Sequence, residues 1–340
     1  MLDARDNESF LGRQCLITGG LGFVGSSLAN RLVELGANVT LVDSMVPDFG
    51  GNLANVATVG HRVSINYSDV RDRLSMNWIV RDQDYVFHCA GQVSHVMSLT
   101  DPFPDIDYNI TGLTVLLEAL RHHNPTAKVV FASTRGAYGE VAQLPVNEEQ
   151  PSNPKALHEI SKLAGELILK AYAQQHGIES VALRLSNTYG PRSQMLHGKF
   201  GVVNYFLRLA MDGEVLKVFG DGSTQRDYLY IDDAVDAFLL AALESTPGES
   251  PIYNVGRSEP TTILELVQAV IVAAGNGGWD LAPYSDERKA QEPGHYYSDI
   301  TKIRTRLGWE PRVELADGLA RTVSYYQSRR DSYWPRLPVA

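Results

Sequence analysis

Short apolar segments alternate with helical patterns through the first half of this chain. The segments QCLITGG and NVTLVDS are typical of buried strands, and VGSSLANRLVELG between them has the spacing of a helix that ends at Gly36. The strand series continues with RVSINYSDV, DYVFHCAG and KVVFAST, and the segment from Ile106 to His123 has apolar residues at helical spacing. Strands that alternate with helices predict βαβ units and a parallel sheet that is covered on both faces.

The pattern becomes less regular in the second half. IESVALRLSNTYGPR predicts another strand, FGDGSTQRDYLYIDDAVDAFLLAAL predicts a turn, a short strand and a helix, and IYNVG predicts a further strand. We therefore expect an α/β protein whose Rossmann-type, doubly wound parallel sheet occupies residues 12–185, with strand contributions from 225–256. A smaller mixed α/β lobe at residues 186–330 is expected to interleave with this main domain.

Composition narrows the class of protein. The 340 residues are 44% hydrophobic and 21% charged, which is ordinary for a soluble globular protein, and a net charge of −10 without a basic stripe argues against nucleic-acid or anionic-membrane binding. Cys15 and Cys89 lie in apolar runs and are expected to be buried thiols. The start lacks a signal pattern and no apolar run approaches the roughly 20 residues of a membrane span, so a cytoplasmic location is expected. No cluster has metal-ligand spacing, and we predict no metal.

A glycine-rich loop follows the first predicted strand directly. Gly19, Gly22 and Gly25 match G-x-x-G-x-x-G, a close variant of the dinucleotide-binding fingerprint, and a helix begins at this loop. The helix N-terminus offers N–H groups and a positive dipole end to a pyrophosphate. Asp43 ends the second strand 18 residues beyond Gly25, where an acid accepts hydrogen bonds from the adenosine ribose and repels a 2′-phosphate. The order of these features predicts a site for NAD.

From these motifs onward the chain resembles the extended short-chain dehydrogenase/reductase family, which includes the NAD-dependent nucleotide-sugar epimerases and dehydratases. The resemblance extends from about residue 12 to about residue 325. TGGLGFVGSSLANRL resembles the cofactor loop of the family, SDVRD its adenine-contacting segment, CAGQVSH the strand end beneath the cofactor, and NITGLTVLLEA the helix that carries Asn109. The resemblance assigns to the cofactor Gly19, Gly22, Phe23, Val24, Gly25, Asp43, Asp69, Val70, Ala90, Gly91 and Lys162.

Further motifs match the substrate side of the family. FASTRGAYGE resembles the strand that bears a catalytic Ser or Thr, which places Thr134 in that role with Ser133 as its neighbour. RLSNTYGPR and GDGSTQRDYLYIDD resemble loops that hold a nucleotide diphosphate, and SDITKIRTRLGWEP resembles a C-terminal signature of the family. The residues that the resemblance assigns to substrate are His95, Thr134, Asn187, Arg192, Arg226 and Asp227.

The chain departs from the family at the position of the catalytic base. Members carry Tyr-x-x-x-Lys, in which the Tyr takes a proton from the sugar hydroxyl and the Lys holds the nicotinamide ribose. LHEISKLAGE supplies Lys162 but has His158 at the Tyr position.

Two further departures concern the substrate. Arg135 and Gly136 follow Thr134, where the 4,6-dehydratases have Asp-Glu, which argues against a dehydratase of that type. Glu292 stands where many members have an Arg, so one diphosphate contact is missing or comes from Arg288 or Lys289.

Three interpretations of His158 remain open at this point. The imidazole replaces the phenol as acid/base, because a neighbouring ammonium and a cationic nicotinamide disfavour its charged form, although it reaches less far than a phenol. Alternatively, His158 only faces a polar pocket and the chemistry uses Thr134, Tyr138 or His95. In the third interpretation the protein binds NAD and a nucleotide sugar without turnover.

We expect an NAD-dependent nucleotide-sugar epimerase that oxidises a UDP-, dTDP- or GDP-sugar transiently to a keto sugar. Thr134 would orient the hydroxyl, His158 would relay the proton and Lys162 would hold the cofactor ribose. The alternatives are a nucleotide-sugar dehydrogenase, a keto-sugar-forming enzyme and a non-catalytic binding protein. The resemblance also implies a homodimer, paired through a four-helix interface of the helices at 106–123 and 155–175.

Overall fold

The chain folds around one central parallel sheet, and the computed structural model describes residues 8–284 and 294–334, without the side chains of residues 95 and 96. The strands in these ranges are β1 (Gln14–Thr18), β2 (Asn38–Val42), β3 (Val63–Asn66), β4 (Tyr85–His88), β5 (Lys128–Thr134), β6 (Ser180–Leu185), β7 (Asn187–Tyr189), β8 (Val215–Phe219), β9 (Gln225–Arg226), β10 (Tyr228–Tyr230), β11 (Ile252–Val255), β12 (Thr261–Thr262) and β13 (Gly278–Ala282).

The α-helices in the same ranges are α1 (Phe23–Glu34), α2 (Arg73–Ile79), α3 (His95–Thr100), α4 (Gly112–His123), α5 (Leu157–His176), α6 (Val202–Met211), α7 (Ile231–Leu243), α8 (Ile263–Ala274), α9 (Thr301–Leu307), α10 (Leu315–Gln327) and α11 (Arg330–Tyr333). A π-helix occupies Asp105–Thr111, and short 3₁₀ turns occupy Leu53–Val56, Gly60–Arg62, Arg135–Tyr138 and Gly198–Phe200.

Seven strands pair in the order β11-β6-β5-β4-β1-β2-β3, and every pairing is parallel. The register places Ile17 of β1 between Leu41 of β2 and Phe87 of β4. Chain order reverses at β1 and β4, so the connections after these two strands leave toward opposite faces. A crevice therefore opens at their carboxyl ends, which is where doubly wound sheets bind ligands.

The core lies on both faces of this sheet, as the apolar runs of the strands require. In β1, Cys15 and Ile17 pack into one buried cluster and Leu16 into another, because successive side chains point to opposite faces. In β4, Phe87 and Val86 divide between the same two clusters. The predicted fold class, a doubly wound α/β sheet of Rossmann type, is confirmed.

The second half of the chain adds smaller pieces of sheet around the central one. Parallel pairs join β7 to β10 and β8 to β13, and an antiparallel pair joins β9 to β12. Helix α8 carries a capping box, in which the Thr262 hydroxyl accepts from the Glu265 N–H and the Glu265 carboxylate accepts from the Thr262 N–H. The strand IYNV at 252–255 returns to the main sheet beside β6.

The predicted helix from Ile106 to His123 has an unexpected first half. Its first turns form the π-helix, and the Gly112 N–H donates to the Asp107 carbonyl five residues earlier. Asp105 and Asn109 are both buried within it. Apolar spacing indicates a helix here but cannot distinguish an i→i+5 from an i→i+4 ladder, because polar contacts of the interior decide that choice.

In the part of the chain that the structure describes, no helix combines the length and apolarity needed to cross a bilayer. Cys15 and Cys89 are both free thiols; Cys15 is buried and Cys89 is partly exposed.

Candidate active site

A cavity of about 540 Å³ lies in the crevice at the carboxyl ends of β1 and β4. One wall is the glycine loop after β1, and another is formed by the ends of β4 and β5 together with helix α5. The third wall comes from residues 185–188, 193–194 and 199–204, in the second half of the chain. The cavity therefore lies between the central sheet and segments of the second half of the chain, and a ligand in it would contact both.

The glycine loop approaches the sheet too closely for side chains. Gly19 has φ +66°, and a Cβ there would lie 2.7 Å from the Ala90 nitrogen. A Cβ at residue 25 would lie 2.2 Å from the Gly19 carbonyl oxygen. Helix α1 starts after Gly22 with no side-chain cap and no acidic residue in its first turn, and Gly22, Phe23, Val24 and Gly25 line the cavity. The loop therefore presents backbone N–H groups and a positive helix end to an anion, as a pyrophosphate site requires.

Asp43 is fixed at the edge of this loop. Its Oδ2 accepts from the Leu21 N–H at 3.0 Å and its Oδ1 from the Met45 N–H at 2.9 Å, and the residue lines the cavity. A carboxylate held in this way accepts hydrogen bonds from ribose hydroxyls and repels a 2′-phosphate. The residues of the loop and Asp43 thus fit NAD.

In the predicted adenine segment, the neighbours of Asp69 face the cavity and Asp69 itself does not. Val70 and Ser68 line the cavity, whereas the Asp69 carboxylate receives the Arg71 guanidinium at 2.7 Å. Burial acts to raise the pKa of Asp69, but the hydrogen bonds from Arg71 outweigh it and hold that pKa below its usual value. Asp69 is accordingly committed to Arg71 in this structure.

Lys162 emerges from α5 at the base of the cavity. Its Nζ donates to the Ala132 carbonyl at 3.0 Å and lies 4.9 Å from the centre of the Phe131 ring. Burial lowers the pKa of this lysine to about 8. Ala90 and Gly91 form the adjoining surface, and a Cβ at residue 91 would lie 3.2 Å from Nζ. An ammonium in this position can donate to a ribose lying over the glycine.

The two hydroxyls at the end of β5 have different surroundings. Ser133 donates to Glu166 Oε1 at 2.6 Å, and the same buried carboxylate accepts two hydrogen bonds from Arg184. Thr134 Oγ1 accepts from the Gly136 N–H at 3.1 Å and lines the cavity. Because the Ser133 hydroxyl already serves a structural network, Thr134 is the hydroxyl available to a ligand.

His158 lies one turn before Lys162 on the same helix and also lines the cavity. Its side chain is 10% exposed, and its Nδ1 lies 3.4 Å from Oδ1 of Asp105, whose side chain is fully buried. The π-helix thus brings a carboxylate to the inner side of the imidazole. Tyr138, an alternative acid/base, is fully buried, donates to Asn254 at 2.7 Å and has a pKa raised to about 12 by burial.

The residues assigned to substrate lie in different places. Asn187 lines the cavity and receives the Arg135 guanidinium at 3.5 Å. Arg192 donates to Ser27 of α1 at 3.0 Å, and Arg226 donates to the carbonyls of Gln225 and Gly294. Neither arginine is among the described residues that line the cavity.

Asp227 is also outside that lining. It is fully buried and accepts from the Ser298 hydroxyl at 2.7 Å and from the Arg257 N–H at 3.1 Å. Burial raises the pKa of this carboxyl above its usual value. Its surroundings are those of a group that ties the lobe to the chain after β11.

Several residues named in the sequence analysis lie outside the part of the chain that the structure describes. The side chain of His95 is not described, and neither are Arg288, Lys289 and Glu292. Among the described residues, no group of three or more His, Cys, Asp or Glu side chains is arranged to hold a metal ion.

Five charged residues reach the site without having been assigned to it from the sequence, namely Asp105, Arg135, Lys155, Glu159 and Lys199. Glu159 and Lys199 line the cavity, and a Cβ at residue 136 would lie 2.5 Å from Glu159 Cγ, so the glycine leaves room for this acid. Asp105 and His158 are 53 positions apart, and a contact over that separation leaves no local pattern in one sequence. For Glu159, its place next to His158 is a weak signal, because consecutive residues of a helix point about 100° apart.

Comparisons with known proteins agree with this geometry. Residues 15–256 match the NAD dependent epimerase/dehydratase family. The chain is 34% identical to a UDP-glucose 4-epimerase of Mycolicibacterium smegmatis over 319 residues, which cover 92% of this chain and 98% of that one. It is 32% identical to a dTDP-glucose 4,6-dehydratase of Streptomyces niveus over 333 residues, which cover 95% of each chain. The structure superposes on a UDP-glucose 4-epimerase of Thermus thermophilus in complex with NAD with a TM-score of 0.81, at 33% identity, covering 92% of this chain and 99% of that one.

Proposed function

Because this chain belongs to the NAD-dependent epimerase/dehydratase family and uses NAD, we propose that it is an epimerase that inverts one hydroxyl-bearing carbon of a UDP-, dTDP- or GDP-sugar. The observation that carries the proposal is that Thr134, His158 and Lys162 line the same cavity as the glycine loop. This arrangement provides a hydroxyl, an imidazole and an ammonium on the side of the cavity where a nicotinamide would lie.

In the proposed mechanism each residue has its own role in the reversible oxidation of a sugar carbon. A bound NAD would supply the hydride acceptor, and in its reduced form the hydride donor, for the sugar carbon. Thr134 orients the sugar hydroxyl, and His158 takes the hydroxyl proton as the carbonyl forms and gives it back on reduction. The glycine loop and Asp43 would hold the pyrophosphate and the adenosine ribose, and Lys162 would hold the nicotinamide ribose.

The nucleotide diphosphate would lie toward the lobe. Asn187 and Lys199 line that wall, and Lys199 brings a cationic side chain that can pair with a phosphate oxygen. Arg192 and Arg226 would join them only by exchanging their present partners, Ser27 and backbone carbonyls, for phosphate. For this reason Lys199 is the first residue that we assign to the diphosphate.

A second candidate function is keto-sugar formation by loss of water. One observation favours it: Glu159 lies in the cavity beside the space that Gly136 leaves, so a carboxylate is present although the sequence after Thr134 lacks one. A carboxylate there could take a proton from a sugar carbon next to a ketone, which would allow a hydroxyl to leave.

One experiment distinguishes these outcomes. The holoenzyme is incubated with UDP-glucose, dTDP-glucose and GDP-mannose, sugar isomers are followed by ¹H NMR and NADH by its absorbance. We expect a new isomer without accumulation of NADH. A keto sugar as the end product would favour elimination, accumulating NADH would indicate a dehydrogenase, and binding without any new species would contradict the proposal.

We also propose a homodimer that pairs through α4, α5 and the π-helix. Ile160 and Leu167 are seven residues apart on α5, which places them on one face, and they are 44% and 61% exposed. Ile106 of the π-helix is 41% exposed. Large apolar side chains grouped on neighbouring helices are typical of a helical subunit interface.

A further inference from the structure

Asp105 meets His158 from a different element of the fold. The carboxylate belongs to the π-helix and the imidazole to α5, and Oδ1 and Nδ1 are 3.4 Å apart. The Asp105 side chain is fully buried, and His158 Nδ1 is itself removed from solvent and makes no hydrogen bond in this structure, so the Asp105 carboxylate is the acceptor that lies nearest for an Nδ1–H. Because Nδ1 is enclosed against Asp105, Nε2 is the imidazole nitrogen that remains for the cavity.

The carboxylate is held in this position by two amides. Gln92 Nε2 donates to Asp105 Oδ2 at 3.2 Å, and Asn109 Nδ2 donates to Asp105 Oδ1 at 3.2 Å. Asn109 also donates to Ser161 of α5 at 2.9 Å, which ties the π-helix to the helix that carries His158. Because Gln92 and Asn109 donate to both oxygens of Asp105, they fix the orientation of the carboxylate and favour its role as an acceptor.

We propose that Asp105 is the positioning residue of His158, because its carboxylate keeps the imidazole proton on Nδ1 and leaves the lone pair of Nε2 directed at the sugar hydroxyl. This inference rests on the proposed function only in giving His158 the role of acid/base. An ionised carboxylate only accepts hydrogen bonds, so it favours the tautomer in which the facing nitrogen, Nδ1, carries the hydrogen. In this arrangement an imidazole takes the place of the tyrosine phenol that the family resemblance implies, and the Asp105 carboxylate serves as its acceptor.

Charged side chains of both signs surround the imidazole. Lys162 lies one turn further along α5, and Asp105 faces the ring from the π-helix. Lys155, Glu159 and Arg135 are further charged side chains that line this end of the cavity.

The direct test is the tautomer of His158 in the unmodified holoenzyme. Protein labelled with ¹⁵N-histidine gives two-bond ¹⁵N–¹H spectra for its nine histidines, and a His158→Gln sample identifies the relevant signal. We expect the neutral imidazole to carry hydrogen on Nδ1. A neutral His158 protonated on Nε2 would overturn the inference, and this readout needs neither turnover nor a folded Asp105 variant.

The functional test compares two isosteric substitutions on the same π-helix. Asp105→Asn removes the charge beside His158, whereas Asp107→Asn removes a half-exposed charge that pairs with Arg71 at 3.3 Å. We expect Asp105→Asn to lower kcat on the order of 100-fold or more, with little change in KM or NAD affinity, because loss of the orienting carboxylate leaves the imidazole in the wrong tautomer.

Asp107→Asn should retain the kcat of the wild type. Equal kcat values for Asp105→Asn and the wild type would overturn the inference. If the wild type turned over no nucleotide sugar, the proposed function would fail, whereas the tautomer of His158 would still decide the role of Asp105.

Discussion

At the scale of single residues, the decisive feature is the imidazole of His158, at the position where the family resemblance implies a tyrosine. Lys162 could be predicted from its register in LHEISKLAGE, and the structure places it at the base of the cavity. The partner of His158 could not, because Asp105 is distant in sequence and its contact depends on how the π-helix packs against α5. Sequence also could not show that the Ser133 hydroxyl is used by Glu166, which leaves Thr134 for the ligand.

Replacing His158 tests its role as the proton acceptor. We expect His158→Gln to lower kcat by roughly 10²- to 10⁴-fold, the usual contribution of a general acid/base, because glutamine retains polar contacts but cannot carry the proton. NAD binding, measured by the quenching of protein fluorescence, should be unchanged. His61→Gln, at an exposed position of a 3₁₀ turn, is the matched control and should behave like the wild type. Undiminished turnover in His158→Gln would exclude the imidazole from the chemistry.

If Lys162 holds the cofactor ribose as we propose, cofactor binding should depend on pH. Burial lowers its pKa to about 8, so a growing fraction of the ligand-free protein has a neutral amine above that pH. An amine that has lost its charge holds the ribose less well, and we expect NAD affinity to fall by up to about tenfold between pH 7 and pH 9.

Calorimetric titration with NAD at these pH values, repeated with Lys162→Met, checks the expectation. The variant should bind NAD more weakly at pH 7 and should show a smaller decline toward pH 9. Parallel declines in the two proteins would mean that another group causes the pH dependence.

At the scale of elements, the strands and the glycine loop were foreseeable and the π-helix was not. Strands β1, β2, β4 and β5 are continuous apolar runs because both of their faces are buried, and that is a strong signal in a sequence. The small strands β8 and β13 gave little signal, because their exposed positions interrupt the apolar run. Within the π-helix, Asp105 and Asn109 make buried polar contacts, which apolar spacing does not record.

The glycine loop predicts a steric limit at residue 25. A methyl group there would lie 2.2 Å from the Gly19 carbonyl oxygen, so the loop and α1 would have to separate. We expect Gly25→Ala to weaken NAD binding by at least about tenfold, or 1.4 kcal/mol. Gly60→Ala provides the control, since nothing lies within 4 Å of its added Cβ. Equal NAD affinities in the two variants would show that the loop does not hold the pyrophosphate.

At the scale of the whole molecule, the cavity depends on the meeting of the sheet and the lobe. The regular first half could be assigned from its pattern, and the lobe was predicted only as mixed α/β. The residues of the lobe that reach the cavity, Asn187 and Lys199 among them, are brought there by packing between distant segments. The same packing leaves Arg192 and Arg226 with other partners, which no local motif could indicate.

The proposed dimer gives a prediction at this scale. Leu167→Glu would place a charge in the apolar face of α5, and burying it without a partner is costly, so we expect the variant to be monomeric. Val272→Glu changes an 81% exposed residue of α8 outside the proposed interface and should leave the dimer intact. Light scattering coupled to size-exclusion chromatography measures both masses. A wild-type protein that elutes as a monomer at micromolar concentration would contradict the proposed pairing.

The central claim is that the enzyme inverts a sugar carbon by removing a hydride and returning the same hydride. A ¹H NMR time course of the holoenzyme with UDP-, dTDP- and GDP-sugars in D₂O tests it most directly. The account predicts a new isomer of one of these sugars that retains ¹H at the inverted carbon, because the hydride does not exchange with solvent. Absence of any isomer, or an isomer that carries deuterium at that carbon, would contradict it.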